Sequence, residues 1–143
     1  IKNYLGRISK PLLDRIDIFT ETIILKYGEI SNSDKGENSY DVRKRIEKVH
    51  HIQKERYKND GILFNSELSA GMIKRYCVMD NEAKEYLENI FENMEFSARA
   101  YHKVLKTART IADMDESGEI KRKHISEAVC YRTADKKYWG VTM

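Results

Sequence analysis

Two arginines in this chain stand where a cation calls for an anion. Arg15 lies in Ile8-Ser9-Lys10-Pro11-Leu12-Leu13-Asp14-Arg15-Ile16-Asp17-Ile18, between two aspartates, where a loop gives way to a β-branched run. A guanidinium fixed on a rigid element and oriented by flanking carboxylates can reach the γ-phosphate of a nucleotide on a neighbouring subunit. The alternative is a surface ion pair, which contributes little. Arg99 follows Ser97, a serine placed to cap a helix, so its charge falls in the first turn. A cation there opposes the partial positive charge of the unpaired N–H groups. Its presence points to a nearby anion, either the adjacent Glu95 or a phosphate.

No phosphate cradle accompanies these arginines. The sequence has no G-x-x-x-x-G-K-[ST] loop, no G-x-G-x-x-G turn after a strand and no apolar run ending in paired acids for Mg²⁺. It also lacks a nucleophile elbow and a zincin helix. Alone, the chain is expected to be catalytically inactive. His50 and His51 are adjacent and point different ways on a helix, and His102 and His124 stand apart, so no metal is expected on this chain. Cys77 and Cys130 are far apart among apolar or aromatic neighbours, which predicts reduced core thiols in a cytoplasmic protein.

The elements that must position these residues are mostly helical. Ile16 to Leu25 is β-branched and aromatic and predicts one strand, but no second strand of that quality follows. Its sheet is expected in a missing segment or another chain. Residues 28–38 are rich in Ser, Asn, Asp, Lys and Gly and predict a linker. Ser39 is placed to cap a helix running to about Tyr57, with a thin stripe of Val42, Ile46, Val49 and Ile52. A short helix is expected from about Glu67 to Tyr76, with Leu68, Met72, Ile73 and Tyr76 inside. Asp80 caps the next, whose inner face is Ala83, Tyr86, Leu87, Ile90, Phe91 and Met94. Ser97 opens a longer helix through Tyr101, Val104, Leu105, Ala108, Ile111 and Ala112, and Asp115 to Glu119 forms a turn. The last helix, Lys121 to Arg132, turns Ile125, Ala128 and Val129 inward. The prediction is a mainly α chain, with four to five helices bundled over 39–143.

The 143 residues carry a net charge of +3, distributed in blocks. Asp41 to Lys58 holds Arg43, Lys44, Arg45, Lys48, Lys54, Arg56 and Lys58, and Asp80 to Glu95 holds Glu82, Glu85, Glu88, Glu92 and Glu95. Such blocks predict solvated helix faces that complement each other or a partner subunit. A basic helix can equally follow a phosphate backbone. No apolar run approaches the ~20 residues that span a bilayer, so no membrane segment is expected. The first residue is Ile, which suggests processing or excision from something larger.

Arg7-Ile8-Ser9-Lys10-Pro11-Leu12-Leu13-Asp14-Arg15-Ile16-Asp17-Ile18 resembles the R-x-S-G-P-L-L-D-R-I-D segment of magnesium-chelatase-like AAA+ ATPases, in particular their ComM-like (YifB-like) branch. Val42-Arg43, Gln53 and Arg56 are similar to that family's S-x-x-V-R…Q-x-x-R helix, and Asn65 with Leu68 to its N-x-x-L. Ser97-Ala98-Arg99-Ala100 and Ala108-Arg109-Thr110-Ile111-Ala112-Asp113 resemble its S-A-R-A and A-R-T-I-A-D strings. His124-Ile125-Ser126-Glu127-Ala128 and Tyr131-Arg132 resemble its H-I-x-E-A…Y-R ending. Lys10 departs from the pattern's glycine, and His50-His51 from its Ala-Arg.

The resemblance implies a helical lid at 39–143, a linker at 28–38, and at 1–27 the end of an α/β core with its last strand. It implies Arg15 as the arginine finger acting in trans and Arg99 as the sensor-2 arginine acting in cis. It implies a hexameric ring using ATP and Mg²⁺, both bound mainly by a core upstream of Ile1, in a motor acting on DNA. Two other functions remain open: a magnesium-chelatase motor subunit in a porphyrin pathway, and a non-catalytic helical module that binds nucleic acid.

Overall fold

The computed structural model describes residues 9–22, 24, 27, 36–94 and 96–139. After a single turn, α1 (Lys10–Leu13), the helical body begins with α2 (Ser39–Tyr57). A 3-10 turn (Asn65–Glu67) leads to α3 (Ala70–Tyr76), then α4 (Asn81–Asn93), α5 (Ala98–Met114) and α6 (Arg122–Trp139). The expected helical bundle is therefore present, and α6 runs further than the sequence pattern predicts.

α5 is the axis of the body, packed on α2, α3 and the 3-10 turn, and most extensively on α6. Its buried Ala100, Val104, Leu105, Ala108, Ile111 and Ala112 recur every three or four residues, so they form one apolar face. Ala108 and Ala112, and Ala128 on α6, are buried small residues of the same core. Leu68, Ile73, Cys77, Ala83, Leu87, Ile125 and Val129 complete the core around them.

Local chemistry sets the helix starts. The side chains of Ser69, Asp80 and Ser97 accept from the backbone N–H of Met72, Ala83 and Ala100, satisfying amides with no partner inside the helix. For α2 the cap is Asn38 rather than Ser39, with its Oδ1 accepting from Tyr40 N and Asp41 N at 3.0 and 2.9 Å. An asparagine offers the same short acceptor as a serine, so either residue satisfied the pattern. α5 ends with Glu116 at φ 52°, and Ser117 N donates to Ala112 O at 2.8 Å. This closure usually takes glycine at the left-handed position. Beyond it, a parallel bridge between Met79 and Ile120 ties the approach to α4 to the α5–α6 connection.

The expected strand is corrected. Among residues 16–22 and 24 there is no strand, and Ile23 and Leu25 lie outside the described residues. A strand needs a partner edge, and here the helical body occupies that role: Phe19 N donates to Tyr131 O at 2.9 Å. Residues 1–8 of the expected core segment and 28–35 of the expected linker also lie outside the described residues.

Candidate functional site

Three of the family-like strings, those holding Gln53 and Arg56, Asn65, and Arg109 and Asp113, meet in a buried polar seam between α2, the 3-10 turn and α5. Asp113 sits at its centre with its side chain fully buried. Its Oδ2 accepts from Arg56 Nη1 at 2.8 Å and Asn65 Nδ2 at 2.9 Å. Its Oδ1 accepts from Arg109 Nε at 3.1 Å and from Arg56 Nη2. Asn65 also receives the Tyr57 hydroxyl at 2.6 Å, donates its amide to Thr110 at 2.9 Å, and gives its backbone N–H to Gln53 at 3.1 Å. Arg109 donates onward to the carbonyls of Gly118 and Ser117, at 2.9 and 2.5 Å, which closes the turn after α5.

Two guanidiniums sharing one carboxylate in a dry setting titrate unequally. Burial works against the charge of Arg56, but Asp113 outweighs it and the pKa is raised. Burial pushes Arg109 below the ordinary arginine range, with Asp113 opposing and Arg56 adding to the shift. The Tyr57 hydroxyl is raised, chiefly by burial. The hydrogen bonds of the seam all end on partners inside the body, so its chemistry is structural: it fastens α2 to α5.

Arg15 and Arg99 lie elsewhere, on the surface. The chain at Arg15 forms a tight turn after α1, with Arg15 N donating to Leu12 O at 3.0 Å and Ile16 N to Leu13 O at 3.1 Å. Leu13, just before it, is buried at 2% exposure. The two flanking carboxylates reach α5: Asp14 accepts from Ser97 Oγ at 3.3 Å, and Asp17 pairs with Lys103. Lys103 Nζ also donates to Arg15 O at 2.9 Å, and Arg132 donates to Ile16 O. Arg99 is the second residue of α5, two positions past Ser97. The Asp14–Ser97 contact thus sets the Arg15 turn beside the start of the helix that carries Arg99.

The remaining candidates separate cleanly. His124 is buried: its Nδ1 accepts from Lys121 N at 2.9 Å, so its Nε2 carries the hydrogen facing Asp115 at 3.1 Å. His50 packs on the Phe64 ring at 4.9 Å. Among the described residues no group of three His, Cys, Asp or Glu side chains could hold a metal ion. Cys77 is buried, and burial raises its thiol to about 11, whereas Cys130 is exposed rather than in the core. No helix of the described residues is long and apolar enough to cross a membrane.

Hydrophobic periodicity missed the seam. Of the expected stripe on α2 only Val49 is fully buried, together with Gln53 and Tyr57, while Val42 and Ile52 are half-buried and Ile46 is exposed. The signal that could have found it was the recurrence of Gln53, Arg56, Asn65, Arg109 and Asp113 in the family-like strings. On α6, His124 and Arg132 are buried beside the expected Ile125, Ala128 and Val129.

The model of the family "Magnesium chelatase, subunit ChlI C-terminal" matches residues 36–132. Over 134 residues the chain is 38% identical to a protein of Salmonella typhimurium named YifB, covering 93% of this chain and 26% of that protein. It is 38% identical over 133 residues to the competence protein ComM of Haemophilus influenzae, covering 92% of this chain and 25% of that protein. A Mycobacterium tuberculosis protein named Rv2897c is 29% identical over 113 residues, covering 79% of this chain and 22% of that protein. The chain spans about a quarter of the length of the curated relatives it matches.

Proposed function

Since the chain belongs to the family of the magnesium chelatase subunit ChlI C-terminal domain, we propose that it is the lid and arginine-finger segment of a longer AAA+ ATPase. That ATPase would couple ATP hydrolysis to motor action on DNA. The observation that carries this proposal is the Arg15 turn. Its N–H, its carbonyl and both flanking carboxylates are bonded, while the residue itself is exposed. An arginine presented on so fixed a backbone suits a finger that must meet a phosphate at one geometry.

ATP fits the residues present, because Arg15 and Arg99 are exposed cations suited to phosphate oxygens. Arg99 would meet the nucleotide of its own subunit and Arg15 that of the neighbour in a hexameric ring. Mg²⁺ would be held by residues beyond those described, which contain no metal-holding cluster. When bound, the ion neutralises charge developing on the transferred phosphoryl group. The greater length of the curated relatives leaves room for the nucleotide-binding core that this proposal requires.

The DNA part of the proposal rests on similarity to the competence protein ComM. A magnesium-chelatase motor of a porphyrin pathway is the second possibility, and the name of the matching family model favours it. A nucleic-acid module gripping through α2 is less favoured because four of the seven basic residues between Asp41 and Lys58 pair with acids within the chain. Arg45 pairs with Glu37, Lys48 with Glu116, Arg56 with Asp113 and Lys58 with Glu55.

The test is ATP hydrolysis and ATP binding by the full-length protein. Arg15→Ala should remove hydrolysis and spare binding, and a variant that hydrolyses normally sinks the finger assignment. Stimulation of hydrolysis by DNA but not by a porphyrin decides between the two motors.

A further inference from the structure

We infer that Lys103 is a positioning residue for Arg15, and that Lys103 and Arg132 bind the arginine turn to the helical body so that turn and body move as one piece. The inference rests on Arg15 being the finger.

Lys103 comes from α5 and Arg132 from α6, and they donate to the carbonyls of two successive residues, Arg15 and Ile16. Lys103 is mostly buried for a lysine, with its side chain 16% exposed, and its ammonium also pairs with Asp17. Arg132 is 2% exposed and lies over the Phe19 ring at 5.2 Å. Arg15 N is held by Leu12 O on the other side of its Cα. The amide of Arg15 closes the turn on Leu12, while the carbonyls of Arg15 and Ile16 tie that turn to α5 and α6. Charged donors on carbonyls form stronger bonds than neutral ones, which suits a joint that must transmit displacement.

The consequence is a coupling. Arg99 and Lys103 lie four residues apart on α5, so a nucleotide that draws Arg99 draws the same helix that holds the Arg15 backbone. Occupancy of one subunit's site would thereby set the position of the finger offered to its neighbour. Both ends of this link lie within one helix, so no chain of intermediates is required.

The experiment measures kcat and KM for ATP in the full-length protein for Arg15→Ala, Lys103→Met, Lys103→Arg, Asp17→Asn and the Arg15→Ala/Lys103→Met double variant. Displacement of a positioned group by about 1 Å costs on the order of 10²-fold, and Lys103→Met should lower kcat by about that factor with KM unchanged. Lys103→Arg should recover most of it. The double variant should be no slower than Arg15→Ala alone, because Lys103 acts only through Arg15. Asp17→Asn loosens the same joint from its exposed side and should lower kcat even if Lys103→Met fails to fold. Normal kcat in Lys103→Met or Asp17→Asn, beside an inactive Arg15→Ala, overturns the inference and leaves the finger standing. Normal hydrolysis by Arg15→Ala overturns both.

Discussion

Arg56 and Arg109 end on one carboxylate inside the body, whereas Arg15 and Arg99 hold their charges at the surface. All four lie in family-like strings, but sequence singled out only Arg15 and Arg99. Burial separates them. Inside, each donor has an assigned acceptor, and removing one partner leaves charge stranded in a medium that cannot solvate it. Outside, water solvates the guanidinium, so the same residue type costs little to present and little to remove. A surface arginine on an anchored backbone is thus exposed to solvent in a way that a seam arginine is not.

This contrast can be broken by substitution. The largest effect belongs to Arg15→Ala in the full-length protein, where losing a finger should cost on the order of 10³–10⁵ in ATP turnover. The thermal midpoint of that variant should stay at the wild-type value by calorimetry. A large fall would move Arg15 into the structural class. Next is Asp113→Ala, which strands Arg56 and Arg109 and should destabilise the body by about 3–5 kcal/mol in urea unfolding. A loss below about 1 kcal/mol would mean that the seam is solvated and the contrast is one of degree. Ser97→Ala removes the α5 cap and the contact to Asp14 together, for a loss of about 1 kcal/mol.

The smallest effect is on pH dependence. Hydrogen bonds from Lys123 and then His124 hold Asp115 below its ordinary value of 3.8. A depressed carboxylate contributes stability fully above that value and loses it as pH falls through the folded pKa. Asp115→Asn should therefore lower the urea midpoint slightly near neutrality and flatten the acid side of the stability profile, the two proteins converging as pH falls below about 4.

The helices were legible because their signals are local. Ser97 and Asp80 are caps by residue type, and the α5 face repeats at helical spacing. Arg15 and Arg99 were also visible from local context as cations on exposed turns. The seam was not, because Arg56 meets Asp113 across 57 positions and an apolar pattern is blind to paired polar groups. The run Ile16–Leu25 misled for the converse reason. Its composition suits a pleated, half-buried surface, but what it found in residues 16–22 was a helical body with carbonyls and donors to offer. Cys130 shows the same limit: apolar neighbours in sequence did not bury it.

α2 joins two environments in one hydrogen-bonded ladder. From Ser39 to Lys48 its side chains are exposed apart from the half-buried Val42, whereas Val49, Gln53 and Tyr57 are buried and Arg56 is clamped by Asp113. Amide exchange should divide the helix accordingly. Protons in its first turns should leave by local fraying within the exchange dead time, and those beyond Val49 only when the whole body opens. A single helix would then keep two clocks, the slower of them set by one aspartate on another helix.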